Sequence, residues 1–265
     1  MNIVDLDGTH IHYQVIGAPE GRPTLVFSNS LGTDFRIWRD VIVRLVGEVG
    51  IVMYDKRGHG LSDVGDSPYA MEDHVSDLIG LLDHLGAEKT VICGLSVGGM
   101  IAQGVWRERP DLVAGLVLTC TQARFADDAF WDERIANVER EGLPGFADAI
   151  VERWFSDSYR DANPLMMRGW RNLVARQTHK GYVGTCHALR NTDYRDTLAD
   201  IDVPTLVVGG EEDPSCPPDA MVALAKAIPE ARYESIKRCG HIPCVEEPDL
   251  FAEILKAFLA DAKLA

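Results

Sequence analysis

The amino-acid sequence predicts an α/β fold with an eight-stranded, mostly parallel sheet, an antiparallel N-terminal edge and a helical insertion. Three observations carry that expectation. An alternating segment opens the chain and is broken at Asp7-Gly8; short apolar, β-branched runs then alternate with segments of helical spacing; and one long interval, residues 124–197, contains no convincing strand.

Residues 2–6 and 9–15 flank Asp7-Gly8, a tight-turn dipeptide, and Thr9-His10-Ile11-His12-Tyr13-Gln14-Val15 alternates apolar with polar side chains, as an antiparallel hairpin requires. Six further runs at 24–27, 51–54, 90–93, 115–119, 205–208 and 232–236 are short and apolar, the signature of strands covered on both faces. Between them, Val75, Leu78, Ile79, Leu82 and Leu85 recur every three or four residues along 71–85. Phe251, Ile254, Leu255, Phe258 and Leu259 do the same along 250–259, so each segment is an amphipathic helix. Alternation of this kind builds a parallel sheet flanked by helices.

The interval 124–197 carries Trp131, Trp154 and Trp170 among many Arg and Glu residues at helical spacing. So long a stretch cannot be bare loop in a compact domain, so it is expected to be a helical cap. The expected organisation is a core of residues 1–123 and 198–265 with the cap at 124–197.

Composition narrows the function. The 265 residues are 46% hydrophobic and 25% charged, enough for a sizeable core, and the net charge is −15. Such a field repels polyanions and anionic membrane surfaces, so neither nucleic acid nor membrane is an expected partner, while a homo-oligomer is left open. The six cysteines form no CxxC pair and suit reduced, packed thiols. The N-terminal residues are acidic where a signal peptide is basic, and no apolar run reaches membrane-spanning length, which leads to the expectation of a cytoplasmic protein.

Gly94-Leu95-Ser96-Val97-Gly98 follows the apolar run 90–93 and precedes a helical segment. This is G-x-S-x-G in its strand, turn, helix setting, where the glycines let a sharp turn project the serine hydroxyl outward. The Val97 N–H then lies at the helix N-terminus, placed to stabilise an oxyanion. The simpler alternative is a Gly-rich turn whose serine only caps the helix.

A serine hydroxyl is a weak nucleophile and needs a base oriented by a carboxylate. Asp213 follows the run 205–208 and His241 follows the run 232–236, each in a loop beyond the carboxyl end of a strand, where open α/β sheets assemble their sites. Glu211 and Glu212 are neighbouring alternatives for the acid, and Asp213 could serve merely as a turn residue before Pro214.

The order Ser96, Asp213, His241, together with Asp55-Lys56-Arg57-Gly58-His59-Gly60-Leu61-Ser62, resembles the α/β-hydrolase family over nearly the whole chain. In detail the chain resembles the 3-oxoadipate enol-lactonases of the β-ketoadipate pathway. The likeness lies in Phe27-Ser28-Asn29-Ser30-Leu31-Gly32-Thr33, the Ser96 turn, Ile150-Val151-Glu152-Arg153-Trp154-Phe155 and Cys186-His187-Ala188-Leu189-Arg190. Where many relatives carry His-Gly after the third strand, this chain has Asn29-Ser30, as the enol-lactonases tend to. The final loop, residues 240–248, follows the general hydrolase pattern.

The resemblance implies an α/β-hydrolase fold and a carboxylic-ester hydrolase that opens an enol-lactone through an acyl-enzyme on Ser96. Leu31 is then the second oxyanion donor beside Val97, and no metal or organic cofactor is implied. Trp131 and Trp154 are candidates to line the pocket, although tryptophans at helical spacing are more often core. An enol-lactone with a side-chain carboxylate needs a local cation, for which Arg124, Arg134 and Arg190 are the candidates. A general carboxylesterase or a cofactor-free perhydrolase would keep the same triad, and a hydrolase-like small-molecule receptor could keep it as well. Haloalkane dehalogenases and epoxide hydrolases would need Asp where Ser96 stands.

Overall fold

A computed structural model of the chain describes residues 1–18 and 20–264. The hairpin is β1 (Asn2–Leu6) and β2 (Thr9–Ile16), and the remaining strands are β3 (Thr24–Ser28), β4 (Gly50–Tyr54), β5 (Thr90–Leu95), β6 (Val113–Thr119), β7 (Thr205–Gly210) and β8 (Arg232–Ile236). They form one sheet in the order β1-β2-β4-β3-β5-β6-β7-β8. The two pairings made by β2 are antiparallel and all others are parallel. The expected eight-stranded mixed sheet with an antiparallel edge is therefore present.

Helices α1 (Arg39–Leu45), α2 (Met71–Leu85) and α3 (Val97–Glu108) cover the first half of the sheet, and α8 (Pro218–Ala227), the short α9 (Pro243–Glu246) and α10 (Pro248–Asp261) complete it. In α2 the buried stripe Met71, Val75, Leu78 and Leu82 faces the core. The Asp73 carboxylate accepts from the Ala70 N–H at 2.8 Å to cap its start, and left-handed Gly86 ends it. Central β3 buries Leu25, Val26 and Phe27 completely, each burial contributing on the order of 2 kcal/mol relative to exposure. Its edge counterpart β8 differs from the expectation of burial on both faces: four of its five residues are partly or wholly exposed, because it has a partner strand on one side only.

Between β6 and β7 the chain leaves the sheet as four helices, α4 (Asp128–Trp154), α5 (Asp157–Ala162), α6 (Pro164–Ala175) and α7 (His179–Asn191). Helix α4 is interrupted at Gly142, which takes φ 70° and ψ 162° two residues before Pro144. A proline cannot donate an amide hydrogen to the preceding turn, and glycine accepts the left-handed backbone, so the pair bends α4. Among the described residues no helix is long and apolar enough to cross a membrane. All six cysteines are buried with free thiols.

Candidate active site

Strand order determines where the chemistry-bearing loops meet. From β3 the chain runs to β4 on one side, while β5 pairs with β3 on the other, with Ser28 opposite Gly94. The connections therefore diverge between β3 and β5 and leave a crevice at their carboxyl ends, the place where open α/β sheets bind ligands. The Ser30–Thr33 loop leaves β3 at this crevice, and Ser96 leaves β5.

Ser96 adopts φ 59° and ψ −120°, a backbone conformation rare for a side chain with a Cβ. Strain of this kind costs about 1–3 kcal/mol and persists only where neighbours enforce it. Here the Ser96 N–H donates to the Thr119 carbonyl at 2.9 Å, while its own carbonyl accepts from the Gly99 N–H at 2.8 Å and the Thr121 hydroxyl at 2.7 Å. Close approach also dictates the flanking glycines: a Cβ on Gly94 would overlap the Gly98 carbonyl, and one on Gly98 would overlap the Ser28 carbonyl. The Ser96 side chain makes no capping bond to α3. That removes the helix-cap alternative, and the residue instead lines a cavity of about 450 Å³.

His241 lines the same cavity, and its Nδ1 lies 2.7 Å from Asp213 Oδ2. The other carboxylate oxygen accepts from the Ser215 N–H at 2.7 Å. With Nδ1–H donating to a carboxylate, Nε2 is left as the acceptor, the tautomer a serine base requires. Burial alone would raise the Asp213 pKa, but the His241 ring and the Ser215 and Cys216 amides outweigh it and hold the carboxyl below its usual range. Glu211 and Glu212 are exposed and take no part in the His241 contact. The structure thus closes the His241–Asp213 link and places Ser96 and His241 in the lining of one cavity, with no hydrogen bond between them among the described residues. Catalytic hydrogen bonds are often long or misaligned before substrate binds.

Trp154, already a candidate from the sequence, and Glu246 and Ser156, not anticipated from it, hold the His241 loop. The His241 N–H donates to the Trp154 carbonyl at 2.9 Å, and half-buried Glu246 accepts from the Gly240 N–H at 2.8 Å and from the Ser156 hydroxyl at 2.6 Å. Glu246 therefore ties the loop to the end of α4. Its place in the 240–248 loop was visible in the sequence, but its partner Ser156 lies 90 positions away.

On the opposite side, Leu31 lines the cavity, and among the described residues neither the Leu31 nor the Val97 N–H donates to a protein acceptor. The next amide, Gly32, donates to His59 Nε2 at 3.0 Å, and His59 Nδ1 lies 3.1 Å from the Arg57 carbonyl. Burial, followed by the nearby Lys56 charge, pushes His59 well below the ordinary imidazole range, and burial does the same to His74. The unfolded chain protonates both near pH 6.5, before the folded chain does, so stability should fall as pH drops below about 6.5. At pH 5.5 the loss should be on the order of 1 kcal/mol per histidine. Exposed His10, raised by its hydrogen bond to Asp63, acts in the opposite direction but is screened by solvent. Urea midpoints at pH 7.5 and 5.5, at constant ionic strength, check this, and equal midpoints would refute it.

The residues of the helical insertion divide. Trp131, Trp154 and Arg134 line the cavity, whereas Trp170 packs against Phe155. Arg124 and Arg190, expected as substrate cations, do not line it: Arg124 pairs with Asp128 and Asp193, and Arg190 with Asp128 and Asp132. Arg124 sits in the bend before α4 and Arg190 near the end of α7, each neutralised by exposed or half-exposed aspartates. Arg153, within the lactonase-like stretch 150–155 but not among the candidate substrate cations, lines the cavity instead and donates to Ser215 Oγ at 3.2 Å. Arg134 is held by the Tyr182 hydroxyl at 2.5 Å and lies over the Phe146 ring. Among the described residues neither Arg134 nor Arg153 forms an ion pair with a carboxylate.

Cys120, Asp213 and His241 place donor atoms within 4.8 Å of one another. Burial and the Asp213 charge drive the Cys120 thiol well above its usual range, so no thiolate is on offer, and the other two donors are already bonded to each other. The set suits proton transfer rather than metal binding.

A sheet of this order with a strained serine after β5 and an Asp–His pair after β7 and β8 defines a class, and a family profile for the alpha/beta hydrolase fold matches residues 23–248. The chain belongs to the α/β-hydrolase family. Within it, the chain is similar to 3-oxoadipate enol-lactonase 1 of Acinetobacter baylyi, with 31% identity over 97% of this chain and 96% of that protein. The crystal structure of the enol-lactonase from Burkholderia xenovorans LB400 matches with a TM-score of 0.93 at 32% identity, covering 98% of this chain and 100% of that one. A thermophilic esterase from Thermogutta terrifontis, solved with malate bound, matches with a TM-score of 0.91 at 27% identity over 99% of both chains.

Proposed function

We propose that this chain hydrolyses a small carboxylated enol-lactone, opening 3-oxoadipate enol-lactone to 3-oxoadipate through an acyl-enzyme on Ser96. The observation that carries the substrate is the pair Arg134 and Arg153 on the wall of the Ser96 cavity, two cations without carboxylate partners among the described residues of a protein of net charge −15. A substrate carboxylate supplies the missing anion, and guanidinium binds carboxylates in a directed, two-pronged manner. Trp131 and Trp154 give the same cavity apolar walls for a lactone ring. In this reading residues 124–197 act as a cap over the core, contributing those four side chains to the reaction centre.

His241 Nε2 takes the Ser96 proton as Oγ attacks the lactone carbonyl, and the Leu31 and Val97 amides receive the developing oxyanion. Collapse expels the ring oxygen as an enol, protonated by His241, and the enol relaxes to a ketone. Water, deprotonated by the same imidazole, then releases the acid and restores Ser96. Asp213 holds the imidazole tautomer throughout.

Substrate choice is tested by comparing kcat/KM for the enol-lactone with that for a neutral aryl ester, in the native chain and in Arg153→Met. Loss of one buried charge-assisted contact, about 1.5–3 kcal/mol, should lower kcat/KM for the lactone roughly 10- to 100-fold and leave the neutral ester within about threefold. Equal losses on both substrates, or a native preference for the ester, would favour a general carboxylesterase, the reading to which the likeness to the Thermogutta esterase points.

A further inference from the structure

Lys56 opens the segment after β4 that the sequence marks as Asp55-Lys56-Arg57-Gly58-His59-Gly60-Leu61-Ser62, and its side chain is completely buried. Among the described residues it forms no ion pair. The nearest acids are engaged elsewhere: Asp55 accepts from the Phe35 and Leu61 amides and lies 2.8 Å from His12 Nδ1, and Asp34 is bonded by Arg36. Instead, the Lys56 ammonium donates to the Ser30 carbonyl at 2.5 Å and to the Thr33 carbonyl at 3.4 Å.

The Ser30 carbonyl and the Leu31 N–H are two ends of one amide. Because that group is a resonance unit, a cation drawing charge onto its oxygen leaves its N–H a stronger donor. A buried cation is costly to keep, whereas holding a loop in place asks only for a neutral donor. We propose that Lys56 is a positioning residue for the oxyanion hole, its buried ammonium clamping the Ser30 carbonyl so that the Leu31 N–H is both aimed and polarised toward the developing charge. His59 completes the clamp by accepting the Gly32 N–H, while among the described residues the Leu31 N–H has no protein acceptor.

The charges around Lys56 bear on how the clamp responds to pH. Burial pushes the Lys56 ammonium down to about 7, opposed by Asp55 and Asp34, while the buried imidazoles of His59 and His74 stay neutral beside it. Proton loss from Lys56 as pH rises through about 7 should therefore weaken the oxyanion donor without disturbing substrate binding.

The inference rests on the serine-hydrolase reading of the site, and the test separates the two. Steady-state hydrolysis of a neutral aryl ester is measured from pH 5.5 to 9.5 for the native chain, Lys56→Met and Ser96→Ala. Removing a whole oxyanion donor costs on the order of 100- to 1,000-fold, so losing only its polarisation should lower kcat about 10- to 100-fold in Lys56→Met, with KM within threefold. The alkaline fall in native kcat should also disappear in Lys56→Met. A folded Lys56→Met that keeps kcat within twofold, or keeps the native alkaline limb, overturns the inference. If that variant does not fold, the native chain still decides: the Leu31 amide resonance should shift with the midpoint of the alkaline limb, and a resonance unmoved across this range overturns the inference equally. An active Ser96→Ala would instead refute the serine-hydrolase reading itself.

Discussion

Ser96→Ala is expected to lower kcat on any accepted ester or lactone by on the order of 10⁵-fold, with KM nearly unchanged. The size follows from what the hydroxyl does in the proposed reaction: without it there is no acyl-enzyme, and only cavity binding and the oxyanion amides remain to assist direct attack by water. The fold should survive, because the Ser96 hydroxyl makes no capping bond and the strained turn is held by its backbone bonds to Thr119, Gly99 and Thr121. A phosphonate ester probe should add its mass at Ser96 in the native chain and nowhere in the variant, as read by peptide mass spectrometry. Turnover within tenfold of native, or labelling at another residue, would defeat the mechanism.

The second large effect is expected for Asp213→Asn, about 10⁴-fold in kcat. Asparagine keeps the volume but presents either an amide donor to His241 Nδ1, forcing the wrong tautomer, or a neutral oxygen that stabilises the charged ring far less. Rescue by a neighbour is not expected, since Glu211 and Glu212 are solvent-exposed while Asp213 is 2% exposed beneath the ring. The thermal midpoint should move by only a few degrees, because the Ser215 N–H bond to Oδ1 can be retained. Native-like turnover at neutral pH would show that His241 does not depend on this carboxylate.

Much of the sheet was legible because strand and helix signals are local. The runs at 24–27, 51–54 and 90–93 stand out by β-branched apolar content, and α2 by its three-to-four spacing, since each reflects which faces of one short segment must leave water. Strand ends were less legible: β7 extends to Gly210 and β5 to Leu95, beyond the apolar runs, because pairing with neighbouring strands continues through residues of little intrinsic strand preference. The full exposure pattern of β8 was not legible either, since edge position is a property of the assembled sheet.

At the candidate site, sequence alone pointed to Ser96, Asp213 and His241, because each sits in a loop whose strand and flanking residues can be read from a few consecutive positions. Which arginines face the cavity was decided only by tertiary structure. Arg124 found the carboxylates of Asp128 and Asp193 and Arg190 that of Asp132, whereas Arg134 and Arg153, both on α4, line the cavity. Nor could spacing reveal Glu246 bound to Ser156, or Lys56 bound to Ser30, since these contacts join segments 90 and 26 positions apart. The physical reason is the same in each case: a guanidinium, ammonium or carboxylate takes its role from whichever opposite dipole the folded chain delivers within about 3 Å, and local sequence does not specify that neighbour.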